Sequence, residues 1–309
     1  MTVERPRAGL ARAWPLATAV LAATSAVVLL AGCVAAPSTP QSGPATPAHG
    51  QPPPATSTPA APFDPSSLVG RWTVRGAADE WSGTVVQFDT QATLWRRCGS
   101  ISFPYIAGPD SDLRVGRPES WGSDCGDRPT AAWLTEAAVV AHRGGDVLLL
   151  RADGRPTATL VPGGEPHVDE NTSPELAAPP VLTPELRESL SWHPVTLPAG
   201  LVPAAIDVLA GGRWFPPDPP SGNPDGSWAS FAEDGTWQGT DGCNGSGGIY
   251  TLADDGAVRA TSGPSTLIGC DGVPVSSWVA QARALGLTSD GLLVLLDSAG
   301  TEIGRLIHR

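Results

Sequence analysis

Cys98 and Cys125 stand 27 positions apart, and so do Cys243 and Cys270. Other features recur around this equal spacing in the same order. Gly70-Arg71-Trp72 and Gly212-Arg213-Trp214 precede the two pairs, followed by Phe88 or Phe231, while Trp133 and Trp278 each come eight residues after the second cysteine. Each half then closes on an apolar stretch, residues 147–150 or 292–296. A chain that carries one pattern twice is expected to fold as two copies of one unit, each of about 100 residues, a length at which a single core is normal.

Inside the units the pattern is that of short strands. In the first half Trp72, Val74, Val86 and Phe88 alternate along residues 68–75 and 84–89, as half-buried strands require. Residues 92–96, 100–105, 113–115, 146–151 and 157–161 continue the meander, the last two joined at Asp153-Gly154. In the second half, hairpins turn at Asp234-Gly235 and Asp255-Gly256, and residues 292–296 and 303–307 form a final one. Residues 241–244, Asp-Gly-Cys-Asn, read as a turn because Gly and Asn tolerate positive φ. One helix is expected in each half. The first covers residues 130–140, with Trp133, Leu134 and Ala137 on one face and His142 at its end. The second runs from a Ser276 or Ser277 cap through Leu285 to Gly286.

The start of the chain gives an address. Arg5, Arg7 and Arg12 precede a mostly apolar run over residues 13–30, which ends in Leu30-Ala31-Gly32-Cys33. This resembles a bacterial lipoprotein signal with its lipobox, which implies cleavage before Cys33 and attachment of a diacylglycerol to it. A transmembrane anchor is the alternative, since the run is nearly long enough to span a bilayer. Both place the rest of the chain on the extracytoplasmic face of the cell membrane. The expected organisation is a signal over residues 1–32, a disordered Pro/Ala/Thr-rich tether over 33–65, domains over 66–164 and 204–309, and a linker over 165–203. The tether has too few apolar side chains to offset the entropy of ordering. The linker holds one short helix, residues 184–190, capped by Thr183.

Charge and cysteine usage fit that address. The chain has 19 basic and 31 acidic residues. Removing the signal takes away three arginines and Glu4, which leaves 16 against 30. Such a balance argues against nucleic acid or anionic head groups as partners. With Cys33 assigned to lipid, four cysteines remain, and the repeat favours Cys98 with Cys125 and Cys243 with Cys270. Each such disulfide stabilises by about 3–4 kcal/mol in the chain-entropy picture. Free buried thiols are the competing reading. A metal site fits poorly, because there is no CxxC and no histidine near either pair.

In the second half Trp214, Phe231-x-x-Asp234-Gly235, Gly242-Cys243-Asn244, Gly248-x-Tyr250, Ser265-Thr266-x-x-x-Cys270, the helix and the Leu-rich last strands together resemble the META domain, also called the HslJ-like domain. The first half resembles a diverged copy, with Gly99 where the pattern has asparagine. The resemblance implies a mainly β protein of two tandem, compact, antiparallel domains, partly barrel-like, each with one α-helix. It also implies a membrane-anchored lipoprotein with a non-catalytic binding or envelope-stress role, and no cofactor. The expected partners are the membrane, through the lipid, and an envelope ligand that is a lipid, a glycan or a protein. Trp228 and Trp237 are candidate ligand contacts, since aromatic side chains exposed on a sheet would serve any of these. The alternative is an envelope hydrolase whose carboxylates flank the cysteines, Asp241 and Asp271 in one half and Asp124 and Asp127 in the other. Against it, Asp and Asn in such places commonly bond their own turn.

Overall fold

Alternation of apolar and polar residues sets the strands, with Trp72 and Val74 turned inward on one and Val147 and Leu149 on another. The computed structural model describes residues 63–309 apart from 122–130, 169–171, 194, 219–225, 267 and 270. The signal segment, Cys33, the tether through residue 62, Asp124, Asp127, Cys125 and Cys270 lie outside the described residues. Thr58–Arg309 forms one compact unit.

The first half contains β1 (Gly70–Arg75), β2 (Val85–Phe88), β3 (Ala92–Arg96), β4 (Gly99–Phe103), β5 (Tyr105–Ala107), β6 (Leu113–Val115), β7 (Ser120–Trp121), α1 (Ala132–Thr135), β8 (Val139–Arg143), β9 (Asp146–Leu150) and β10 (Pro156–Pro162). Between the halves lie α2 (Pro184–Leu190), β11 (Val202–Pro203) and α3 (Ile206–Leu209). The second half contains β12 (Arg213–Phe215), β13 (Trp228–Phe231), β14 (Thr236–Thr240), β15 (Gly245–Leu252), β16 (Val258–Ala260), α4 (Val275–Gln281), β17 (Ala284–Leu287), β18 (Leu293–Leu296) and β19 (Glu302–His308).

The two sheets share one antiparallel order. The first runs β7-β4-β3-β2-β1-β10-β9-β8, and the second runs β16-β15-β14-β13-β12-β19-β18-β17 with β11 added at its edge. Each curls toward closure. In the second half Val258 N–H donates to the Arg283 carbonyl at 2.9 Å and Leu285 N–H to that of Gly256 at 2.8 Å, joining β16 to β17. In the first half β5 and β6 pair as a separate two-stranded ribbon, and Leu113 N–H donates to Ala138 and Val140 N–H to Ser111, which joins that ribbon to β8. The molecule is thus mainly β, with two tandem, partly barrel-like antiparallel sheets. Each interior is filled by its own apolar cluster, to which Trp133, Leu134 and Ala137 contribute in the first half and Val275 and Val279 in the second.

Three paired details tie the halves together. Trp72 Nε1 donates to the Leu68 carbonyl at 2.8 Å, and Trp214 Nε1 to that of Leu209 at 3.1 Å. Phe88 meets Tyr105 edge-on at 5.1 Å, and Phe231 meets Tyr250 edge-on at 5.3 Å. The Tyr105 hydroxyl donates to the Asp89 carbonyl and the Tyr250 hydroxyl to that of Ala232, in each case the residue after the phenylalanine. These are the two tyrosines of the chain, and each lies seven residues after the first cysteine of its half. That repeat is written in the sequence but is easily passed over.

Both expected domain helices are shorter than their patterns. Val139 and Val140 leave the helix to pair with Leu150 and Leu149, and Ala284–Leu287 pairs with β18. Strand pairing of β-branched and apolar residues overrides the local helical period there. His142 accordingly sits in β8 rather than at a helix end, 3.1 Å from Ser67 Oγ and stacked on Phe63. The cap of α4 also differs, since Pro274 stands at its N-cap and no side chain bonds its first turn. The short α2 matches its expectation, with Thr183 Oγ1 accepting from Leu186 N–H at 3.1 Å.

The segment between the halves is a strap. Arg187 pairs with Asp64 and donates to Ser66 Oγ at 2.8 Å, and Trp192 Nε1 donates to the Ala107 carbonyl at 2.8 Å, all on the first half. From the second half Arg259 reaches back to the carbonyls of Ser189 and Ser191. Burial, together with the neighbouring Arg283 charge, lowers the Arg259 guanidinium to about 10. Farther along, Val195, Leu197 and Leu201 cover Ala284, Val294 and Leu296 on the outer face of the second sheet.

Candidate functional site

Because both barrels are filled with side chains, space for a ligand is left outside them. A cleft of about 710 Å³ opens where β6 and the residues after it face the β13–β14 turn of the other half. This volume falls within the usual range for small-molecule sites, which favour domain boundaries. Leu113, Val115, Ala137 and Ala138 from the first half and Ile249 from the second give it apolar walls.

Polar groups from both halves also line the cleft. Arg114 Nη1 donates to the Asp234 carbonyl, linking the halves, while its buried Nε has no hydrogen-bond partner among the described residues. The Asp234 carboxylate accepts from the Thr236 hydroxyl at 2.7 Å and the Thr236 N–H at 2.9 Å. Those bonds, with the charges of Arg114 and Arg117, hold it below the usual carboxylate range. Asp112 is shifted the other way, raised by burial and by the Asp110 charge. At the rim Glu136 pairs with Arg151. The arrangement can hold an amphipathic molecule, with apolar walls for its body and guanidinium and carboxyl groups for its polar end. Among the described residues no group of three metal-capable side chains converges.

The Gly242-Cys243-Asn244 turn lies elsewhere and is built as a structural knot. Asp241 Oδ1 accepts from Cys243 N–H at 2.8 Å and Asn244 N–H at 2.6 Å, and Asp241 Oδ2 accepts from Asn244 Nδ2 at 2.9 Å. Burial pushes this carboxyl up, but the bonds from Asn244 and Cys243 outweigh it and leave the group lowered. Asn244 also donates to the Ile268 carbonyl and accepts from Thr266 Oγ1 and Ile268 N–H. Its amide thereby fills two donor and two acceptor sites, the full capacity of the group.

The two candidate tryptophans separate. Trp228 is half-buried beneath the Arg213 guanidinium, 4.1 Å from its ring centre. Trp237 is not a surface group: it is 1% exposed, and its Nε1 donates to the Thr261 carbonyl at 2.8 Å. The inward position of Trp237 on β14 makes it part of the core, so it offers no open ligand face. The cleft residues Arg114 and Arg117 carry only a faint sequence signal, two arginines three apart in a loop-rich region. Among the described residues no helix is long and apolar enough to cross a membrane. Comparison with protein-family models, curated proteins and solved structures finds no match to this chain in any of the three.

Proposed function

We propose that this protein is a lipoprotein anchored through Cys33 on the extracytoplasmic face of the cell membrane, and that its two META/HslJ-like domains form a non-catalytic module that binds an envelope ligand. The observation that carries the reading is the cleft between the halves, lined by apolar side chains together with guanidinium and carboxyl groups. The ligand that fits is a small amphipathic envelope molecule. The proposed pairing is Cys98 with Cys125 and Cys243 with Cys270, which an oxidising compartment would sustain. A hydrolase built on Asp241 gains no support, since both of that residue's carboxylate oxygens serve the turn.

Two measurements test this. Intact mass of the exported chain, with and without reduction, should show lipid on Cys33 and two internal disulfides. Mass spectrometry of small molecules copurifying with the mature protein should find a species that is lost from Ala138→Trp, a change that fills the cleft from a partly exposed position. Identical profiles for the two proteins, at equal thermal stability, would remove the cleft as the site.

A further inference from the structure

A second site lies on the outer face of the first sheet, remote in character from the cleft and independent of it. Strand register sets Gln87 beside Thr93 and Thr93 beside Ser102, and in the next row Val85 beside Trp95 and Trp95 beside Ser100. Inward-facing Ala92 and Leu94 belong to the barrel core, so Thr93 and Trp95 point outward. Over this face passes the strap, with Leu176, Pro179, Pro180 and Val181 on its near side. A groove of about 620 Å³ lies between sheet and strap.

Three properties of the groove restrict what could fill it. Trp95, which lines it, is 2% exposed, yet its indole N–H has no acceptor among the described residues. A buried donor left unmade is unfavourable, and a native structure that keeps one calls for an explanation. Next, the sheet side is a field of uncharged hydrogen-bonding groups, with Gln87 only 4% exposed and the Thr93 and Ser102 hydroxyls 3.2 Å apart. Among the described residues the charged side chains that line the groove are Asp89 and Glu175, and Arg71 stands beside it, its Nε donating to Gln87 Oε1 at 3.3 Å. Finally, the strap side is apolar apart from Glu175, and Leu176 and Val181 stand 64% and 73% exposed.

We infer that this groove binds a short neutral oligosaccharide. A sugar presents hydroxyls that both donate and accept, which matches amides, hydroxyls, carboxylates and an indole N–H. Its C–H faces match the leucine, valine and proline of the strap. An anionic sugar or a nucleotide is disfavoured by the Asp89 and Glu175 carboxylates, since Arg71, the cation beside the groove, is already engaged by Gln87 and Glu165. Engagement of the indole N–H requires a small outward movement of strap residues 175–181, which precede the anchors at Arg187 and Trp192.

The test uses the full mature chain carrying 15N-labelled indoles, with Trp95→Phe to assign the Trp95 signal. Maltotriose, cellotriose and triacetylchitotriose are titrated as neutral probes, with glucose 6-phosphate as the anionic control. One neutral probe should move the Trp95 indole resonance downfield in a saturable way and leave that of Trp237 in place. Thr93→Val/Ser102→Val should weaken binding about tenfold or more through the lost hydroxyls. Leu176→Asp/Val181→Asp, at exposed strap positions that cannot unfold the sheet, should weaken it by about fivefold or more. The inference fails if no neutral probe moves the signal at about 10 mM, where even millimolar complexes form. It fails equally if the phosphorylated sugar binds as well, or if the strap variant binds like the parent.

Discussion

Trp133 and Trp278 occupy the same place in the two halves, yet opposite chemistry holds them. Trp133 Nε1 donates to Glu80 Oε2 at 2.8 Å, and Glu80 in turn takes both Nε and Nη2 of Arg96, at 2.9 and 2.6 Å. The Glu80 and Arg96 side chains are each 4% exposed. Trp278 instead lies over Gly304, where an added Cβ would run into its ring. The register gives the reason: Trp72 pairs with Pro162 and Trp214 with His308, so the counterpart of Gly304 four residues earlier in the first half is Ala158. The first half has a methyl there and anchors its tryptophan by charge and hydrogen bond, whereas the second half removes the methyl and packs the indole directly. The fold tolerates either solution because the strand order does not depend on it.

The Asp241 turn shows the same divergence. Through the ladders, Trp72 leads to Val86 and Leu94, and Trp214 leads to Ala229 and Gly239, so Arg96 and Asp241 stand at equivalent positions. One charge faces inward to Glu80 and the other ties down the Asn244 knot. Repeated topology therefore need not carry repeated chemistry.

The comparison can be broken most sharply at Glu80. Glu80→Gln leaves Arg96 buried beside a neutral partner and should destabilise by about 3–5 kcal/mol, while Glu80→Leu/Arg96→Met should recover much of the loss. Urea midpoints decide this, and equal single and double variants would mean that the pair is no unit. Burial raises the Glu80 carboxyl, but the bonds from Arg96 and Trp133 and the Arg96 charge bring it below its ordinary value. Its contribution is therefore present above the ordinary carboxylate range and lost as pH falls through the lowered folded value. Glu80→Gln should flatten that acid limb.

A middle-sized effect is expected at the matched β10 and β19 position. Gly304→Ala should cost about 1–3 kcal/mol by overpacking against Trp278. The reciprocal Ala158→Gly should cost about 1 kcal/mol, mainly in backbone entropy. Calorimetry of both variants tests the assignment, and a harmless Gly304→Ala would show that Trp278 can move aside.

The smallest difference is expected where the halves agree. Tyr105→Phe and Tyr250→Phe should each cost about 1 kcal/mol, since each leaves a carbonyl without its hydroxyl donor. Burial raises both phenols, Tyr250 to about 12. The stability tied to them is complete below the ordinary tyrosine value of about 10 and fades as pH rises toward the folded values. With two tyrosines in the chain, an ultraviolet titration reads them cleanly, and ionisation near the ordinary value in the folded protein would refute the burial.

The repeat, most strands and the short capped helix were legible from the residues alone, because each rests on local periodicity or on a turn residue whose φ is its own. The sequence also marked Asn244, whose neighbours in the chain already formed a turn. What it could not set was the reach of the two longer helices, where Val139 and Ala284 gain more from a strand partner far along the chain than from the next helical turn. The exposure of Trp237 was likewise undecided, since a strand has two faces and only closure of the barrel chooses which is buried. The strap was also illegible, because its proline-rich composition reads as a linker until Trp192, Val195 and Leu197 find sites on both sheets. The cleft belongs to the same class. Arg114 and Asp234 are 120 residues apart, and a space bounded by two separately specified barrels exists only once both have folded and met.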